Sequence, residues 1–276
     1  MIGAIIGDIV GSDYEFNNTS DYDFPLFKEG SDFTDDTICT VAVADAILNG
    51  EDYQTAMRRW CQRYPHPKGE YGGYFLNWVF RPNPAPYNSF GNGSAMRVSP
   101  VAWLFHSEKK VREQAEASAA ITHNHPEGIK GVVAIAVAIF RMRKSKEKEG
   151  GIFEETAREF YGKGAFDNLP EKGYFDVTCQ GCVPLALRIA SEASDFEDAI
   201  RLAVAYGGDS DTLGAIVGSL AEARFPIPAP LLRQALSYLP PEMLSILKVF
   251  AERLEDEIEE EGVFKQAEEE EPEEMP

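Results

Sequence analysis

The stretch PEGIKGVVAIAVAIFRMRK, residues 126 to 144, decides how the rest of the chain is read. It follows Asn124-His125, so Pro126 sits early in the first turn, where its missing N–H costs nothing. It closes in Arg141, Arg143 and Lys144, cations that suit the negative end of a helix. Between those ends it is apolar almost all the way round, which leaves no face for solvent. A helix of that kind lies at the centre of a bundle with other helices on every side. His125, just ahead of the proline, is then a helix cap.

The flanking sequence keeps the helical period. Residues 35 to 48 place Ile38, Val41, Ala42 and Ile47 near one face behind Thr34, a suitable N-cap. Ser194-x-x-Glu197 reads as a capping box that opens a helix through about Tyr206, which Gly207-Gly208 stops. From Thr212 to 224 the chain carries Gly214, Ala215, Gly218 and Ser219, and Gly3, Gly7 and Gly11 repeat the idea at four-residue spacing. Small side chains three or four apart form a strip on which another backbone can approach closely. Alternating strand patterns are scarce. The region from 65 to 92, rich in Pro, Gly, Tyr and Asn, reads as an ordered loop region beside the site. The expected fold is all-α: one compact multi-helix domain over 1–254, then an acidic C-terminal tail over 255–276 whose run EEEEPEEMP is solvated.

A chain of 276 residues, 44% hydrophobic and with a mean hydropathy of -0.28, has the size and balance of a globular enzyme. The longest strongly apolar run, Gly131 to Phe140, is far short of the roughly 20 residues needed to cross a bilayer. Asp8 interrupts the apolar start and no Lys or Arg precedes it, so a secretory signal is not expected and a cytoplasmic location is. Four cysteines in such a chain fit reduced thiols. Cys179-x-x-Cys182 lacks both the further ligands of a zinc site and the βαβ pattern of a redox motif. The net charge is -20, and residues 252 to 276 supply much of it with thirteen acids against two bases. That field repels nucleic-acid phosphates, so direct binding of intact DNA or RNA is not expected. An anionic ligand needs a local device, either cations or a helix N-terminus.

Two acidic clusters carry the chemistry. FTDDT, Phe33 to Thr37, puts adjacent carboxylates and two hydroxyls at a helix start, and GGDSDT, Gly207 to Thr212, puts two more in a turn that glycine makes permissive. If the clusters meet, four aspartates in a partly buried bundle repel strongly unless cations lie between them. Oxygen-only ligands favour Mg2+, Mn2+ or Ca2+ over zinc.

The ordered set GDxxGxxxE (Gly7 to Glu15), FTDDT, GNGSAMR (Gly91 to Arg97), THNHP (Thr122 to Pro126) and GGDSDTLGAI resembles the ADP-ribosylglycohydrolase family, over roughly residues 1 to 235. The resemblance implies two divalent cations, Mg2+ or Mn2+, held by Thr34, Asp35, Asp36, Asp209, Asp211 and Thr212. It further implies that Glu15 is a mobile glutamate beside the metals. Ser210 departs from the threonine that relatives often carry there.

The glycine loop Ser89, Phe90, Gly91, Asn92, Gly93 and Ser94 suits the presentation of backbone amides to a pyrophosphate. His123 is a candidate donor to a phosphate or ribose hydroxyl, and Tyr206, Phe90 and Tyr87 are candidates to stack on adenine. The expected activity is hydrolysis of the bond between ADP-ribose and a modified target, with Asp36 as ligand and candidate base and Glu15 closing the site. The substrate partner is then an ADP-ribosylated protein side chain, and ADP-ribose the product. Two rival readings use the same residues: a non-catalytic ADP-ribose-binding or crystallin-like protein, and a two-metal phosphoesterase.

Overall fold

Several helices start where a side chain takes up amide protons that the helix itself leaves free. In the computed structural model the backbone is described for residues 1–269 and the side chains for residues 1–255. Within them are thirteen α-helices and no β-sheet. In α2 (Asp35–Asn49) the Thr34 hydroxyl accepts from Asp36 N, and in α7 (Pro126–Lys144) His125 Nδ1 accepts from Glu127 N, as the sequence predicts. The cap of α10 (Phe196–Tyr206) differs from expectation by one residue. Asp195, not Ser194, accepts from the amide three residues on, and the Asp198 carboxylate reaches back to Ser194 N. An ionised side chain at 195 outcompetes the neutral hydroxyl beside it.

α7 is buried on every face from Gly131 to Phe140. Around it pack α5 (Ser99–Leu104), α6 (Glu108–Ala120), α8 (Gly151–Tyr161), α9 (Cys179–Glu192) and α11 (Ser210–Arg224). Burying each Val or Ile of that helix contributes about 1.5–3 kcal/mol, so truncating Ile135 to Ala costs about 2–5 kcal/mol.

The layer that carries the site is α1 (Ile2–Gly11) lying antiparallel against α11. Gly3 faces Gly218, Gly7 faces Gly214 and Gly11 faces Ser210, so each four-residue step along one helix meets a step back along the other. Glu222 closes one end of this seam by accepting from Ile2 N at 3.2 Å and Gly3 N at 2.9 Å. Ser210 Oγ closes the other end by donating to Gly11 O at 3.2 Å.

The segment 65 to 92 is less irregular than its composition suggests. It contains α4 (Gly73–Phe80), whose Phe75, Trp78 and Val79 are buried. α3 (Tyr53–Arg63) precedes it, and α12 (Ala229–Leu236) and α13 (Pro241–Glu269) follow the seam. The expected domain end at residue 254 falls inside α13, and residues 270 to 276 of the acidic run lie outside the described residues.

Candidate functional site

α1 brings to the site a residue that the sequence reading passed over. Asp8 is fully buried, and its carboxylate accepts from Thr34 N at 3.0 Å, Thr34 Oγ1 at 2.7 Å, Thr37 N at 3.1 Å and the Thr37 hydroxyl. One carboxylate therefore ties the first helix to the start of α2. The signal was present: Asp8 is the only charged residue between Met1 and Ser12, in an otherwise apolar helix.

α1 ends at Gly11, so Glu15 is not on a continued helical face. It lies in the following loop, with its carboxylate against Gly69. Asn18 holds that loop in place. Its Nδ2 donates to Tyr14 O, Glu15 O and Gly208 O, while Gly208 N donates to Asn18 Oδ1 at 2.7 Å. Gly207 and Gly208 have φ of 79° and 84°, and that left-handed pair turns the chain into Asp209.

The two acidic clusters meet. Asp8, Asp36 and Asp211 each offer an oxygen within 4.8 Å of the others, and so do Glu15, Asp209 and Asp211. Asp211 belongs to both groups. Thr212 Oγ1 donates to Asp36 Oδ2 at 3.2 Å, and Asn92 Nδ2 donates to Asp209 Oδ2 at 2.6 Å. Asp36 Oδ1 and Asp211 Oδ1 are buried without a hydrogen-bond partner. Acceptors left bare in this way, in a set made only of oxygens, could hold a hard divalent cation.

With protein atoms alone the site strains against its own charge. Loss of water, then the charge of Asp8, pushes Asp36 well up, and loss of water with Asp209 does the same to Asp211. Asp35 rises to about 8 through desolvation and the charges of Asp8, Asp209 and Glu15. Glu15 rises to about 7 by desolvation and the charges of Asp209 and Asp8. Asp8 reaches only about 6, because hydrogen bonds from Thr37 and Thr34 oppose its burial.

All of these carboxylates except Asp8 line a cleft of about 450 Å³, large enough for a drug-sized ligand. Its wall includes Glu15, Asp35, Asp36, Asp209, Asp211 and Thr212, together with Ser89, Gly91, Asn92, Gly93, His123, Tyr74 and Tyr87. Of the residues singled out from sequence, four are not on this wall: Thr34, which is fully buried with its hydroxyl donating to Asp8 Oδ1, and three more. Ser94 is fully buried with its hydroxyl on Gly128 O, Phe90 packs its ring against His125, and Tyr206 donates to Pro170 O. The glycine loop is also less free than expected, since Gly91 N donates to Ser89 Oγ and Asn92 N to Val177 O. A backbone partner at 177 to 179 was not foreseeable from the loop's own composition.

The family model described as ADP-ribosylglycohydrolase matches residues 1–263. ADP-ribosylhydrolase ARH3 of Homo sapiens is 24% identical over 307 aligned positions, which cover 82% of this chain and 84% of that protein. ADP-ribosylarginine hydrolase Tri1 of Pseudomonas putida is 25% identical over 265, covering 82% and 69%. An uncharacterized protein of Archaeoglobus fulgidus is 28% identical over 272, covering 83% and 87%. A solved structure of an ADP-ribosylglycohydrolase-related protein complex shares the fold with a TM-score of 0.67 at 23% identity, covering 92% of this chain and 95% of its own. The matched span takes in the glycine seam, both acidic clusters and the glycine loop that lines the same cleft, and the chain belongs to the ADP-ribosylglycohydrolase family.

Proposed function

We propose that this chain is a hydrolase that needs two divalent cations, Mg2+ or Mn2+, and cleaves the glycosidic bond between ADP-ribose and a modified protein side chain. The observation that carries the reading is the pair of carboxylate triads sharing Asp211, with two buried oxygens that nothing in the protein satisfies. The names of its relatives, an ADP-ribosylhydrolase and an ADP-ribosylarginine hydrolase, support the choice of bond.

Asp8, Asp36 and Asp211 would hold one cation and Glu15, Asp209 and Asp211 the other, with Thr34, Asp35 and Thr212 beside them. Bound there, the cations would activate water and fix the vicinal hydroxyls of the ribose. Glu15 is the group suited to hold and move the proton, because its half-buried carboxyl faces the cleft. Asp36, fixed by Thr212, serves first as a ligand and second as a candidate base. Asn92 holds Asp209 still, so the ligand does not swing when substrate enters. His123 and the loop residues Ser89, Gly91 and Gly93 supply the part of the wall where the phosphates would lie, and Tyr74 and Tyr87 offer ring faces. No helix is long and apolar enough to cross a membrane among the described residues, and a cytoplasmic location remains part of the proposal.

Arginine-linked and serine-linked ADP-ribosyl peptides, presented side by side with Mg2+ or with chelator, test the reading. Intact ADP-ribose released only with the cation is the expected product. Release of AMP instead would make the protein a phosphoesterase, and tight ADP-ribose binding without any turnover would make it a binding protein.

A further inference from the structure

Behind the cleft face of His123 runs a line of polar groups, of which Arg97 and Thr122 have no part in the chemistry proposed above. Arg97 is 1% exposed, Thr122 0% and His123 5%. Arg97 Nη2 donates to Thr122 Oγ1 at 2.9 Å, and Thr122 Oγ1 lies 2.7 Å from His123 Nδ1. The other edge of the imidazole faces the glycine loop: a Cβ on Gly93 would sit 3.3 Å from His123 Nε2, and one on Gly91 3.6 Å away.

The direction of these bonds follows from what each group can do. A guanidinium only donates, so Thr122 Oγ1 is an acceptor toward Arg97. A hydroxyl has one proton to give, and those two groups are the hydrogen-bond partners of Thr122 Oγ1 among the described residues. If His123 Nδ1 carried a proton, it would donate to the same oxygen and leave the buried hydroxyl proton without an acceptor, a cost of about 1–3 kcal/mol. The arrangement that leaves neither the Thr122 hydroxyl proton nor His123 Nδ1 without a partner has the hydroxyl donating to a bare Nδ1. Burial and the charge of Arg97 both disfavour a second ring proton, and the neighbouring Tyr87 ring brings no charge to offset them.

We infer that Arg97 and Thr122 are positioning residues that lock His123 as the Nε2–H tautomer, so that the ring is a fixed neutral hydrogen-bond donor into the cleft. A neutral donor suits the oxygens of a pyrophosphate or a ribose, and its use by substrate rests on the function proposed above. The tautomer itself does not.

Long-range 15N–1H correlation spectra of the full-length protein labelled at histidine read the tautomer directly. Four histidines are present, and the spectrum of His123→Gln assigns the one that disappears. At neutral pH the His123 signals are expected to show a protonated Nε2 and an acceptor Nδ1, unchanged in Thr122→Ser and lost in Thr122→Val. A protonated Nδ1 in the unmodified protein, or an unchanged tautomer in Thr122→Val, would overturn the inference whatever the protein hydrolyses. Calorimetric titration with ADP-ribose supplies the second readout. Thr122→Val is expected to bind about 10-fold more weakly and Thr122→Ser as the unmodified protein does, the scale of one hydrogen bond. Equal binding by Thr122→Val with an altered tautomer would show that the donor is not used by ADP-ribose.

Discussion

Gly7 and Gly214 meet backbone to backbone: a Cβ placed on Gly7 would stand 1.9 Å from the carbonyl oxygen of Gly214. No rotamer change relieves a clash with main chain, so the two helices would have to separate. Gly7→Ala is therefore expected to cost about 3 kcal/mol or more in a denaturant melt. Gly151→Ala is the control, because its Cβ would meet nothing within 4 Å, and it is expected to be neutral or to stabilise by up to about 1 kcal/mol. Equal melts for the two variants would contradict the close seam.

Asp8 and Asp211 are expected to fail in different ways. Asp211→Asn keeps the shape of a side chain whose Oδ1 has no protein partner, and it removes one charge from a repelling set. Its cation-free melting temperature should hold or rise while Mn2+ affinity falls at least about 10-fold. Asp8→Asn turns an acceptor of several hydrogen bonds partly into a donor, so it should cost about 2–3 kcal/mol of stability even without cation. Titration calorimetry and thermal melts on both variants separate the two roles.

Stability without cation should fall as pH rises. In the folded chain Asp8, Glu15 and Asp35 titrate near 6, 7 and 8, all above their unfolded values of about 4. A raised carboxyl pKa contributes stability that is fully present below the unfolded value and is lost as pH climbs through the folded one. The melting temperature of metal-free protein should thus drop between about pH 4 and pH 8 relative to the Mg2+-saturated protein, whose carboxylates are neutralised by the cation. A constant gap between the two curves across that range would rule out proton linkage at these carboxyls.

Glu15→Gln is expected to leave the fold and ADP-ribose binding in place and to lower hydrolysis by about 100-fold, the scale for a positioned acid or base. The comparison has to be made at equal Mn2+ occupancy, measured by elemental analysis, because Glu15 is also a member of one triad. Unreduced turnover would take the proton away from Glu15.

The sequence made legible whatever depended on local chemistry. Thr34 and His125 cap their helices, α7 is buried all round, and the small residues of α1 and α11 do form one contact, because caps and periodicity act within a few residues. What was missed depended on distant partners. Asp8 looks like a flaw in an apolar helix until Thr34 and Thr37 are set against it, and Asn18 looks like an ordinary loop residue until it meets Gly208. Tyr206 was singled out for its ring, yet its position on α10 turns it toward Pro170 and not the cleft. α4 was hidden because aromatic and glycine-rich composition masks a short amphipathic turn pattern.

The seam between α1 and α11 also sets a timetable. Gly7 and Gly214 are about 200 residues apart along the chain, so at about 5–20 residues per second the first helix leaves the ribosome tens of seconds before its partner exists. Until then the apolar helix has no backbone to lie against, and Asp8 and Glu15 have no Asp211. A nascent or truncated chain that stops short of Asp209 thus keeps Asp8 and Asp36 of one triad and only Glu15 of the other, and it exposes the strip that the finished molecule hides.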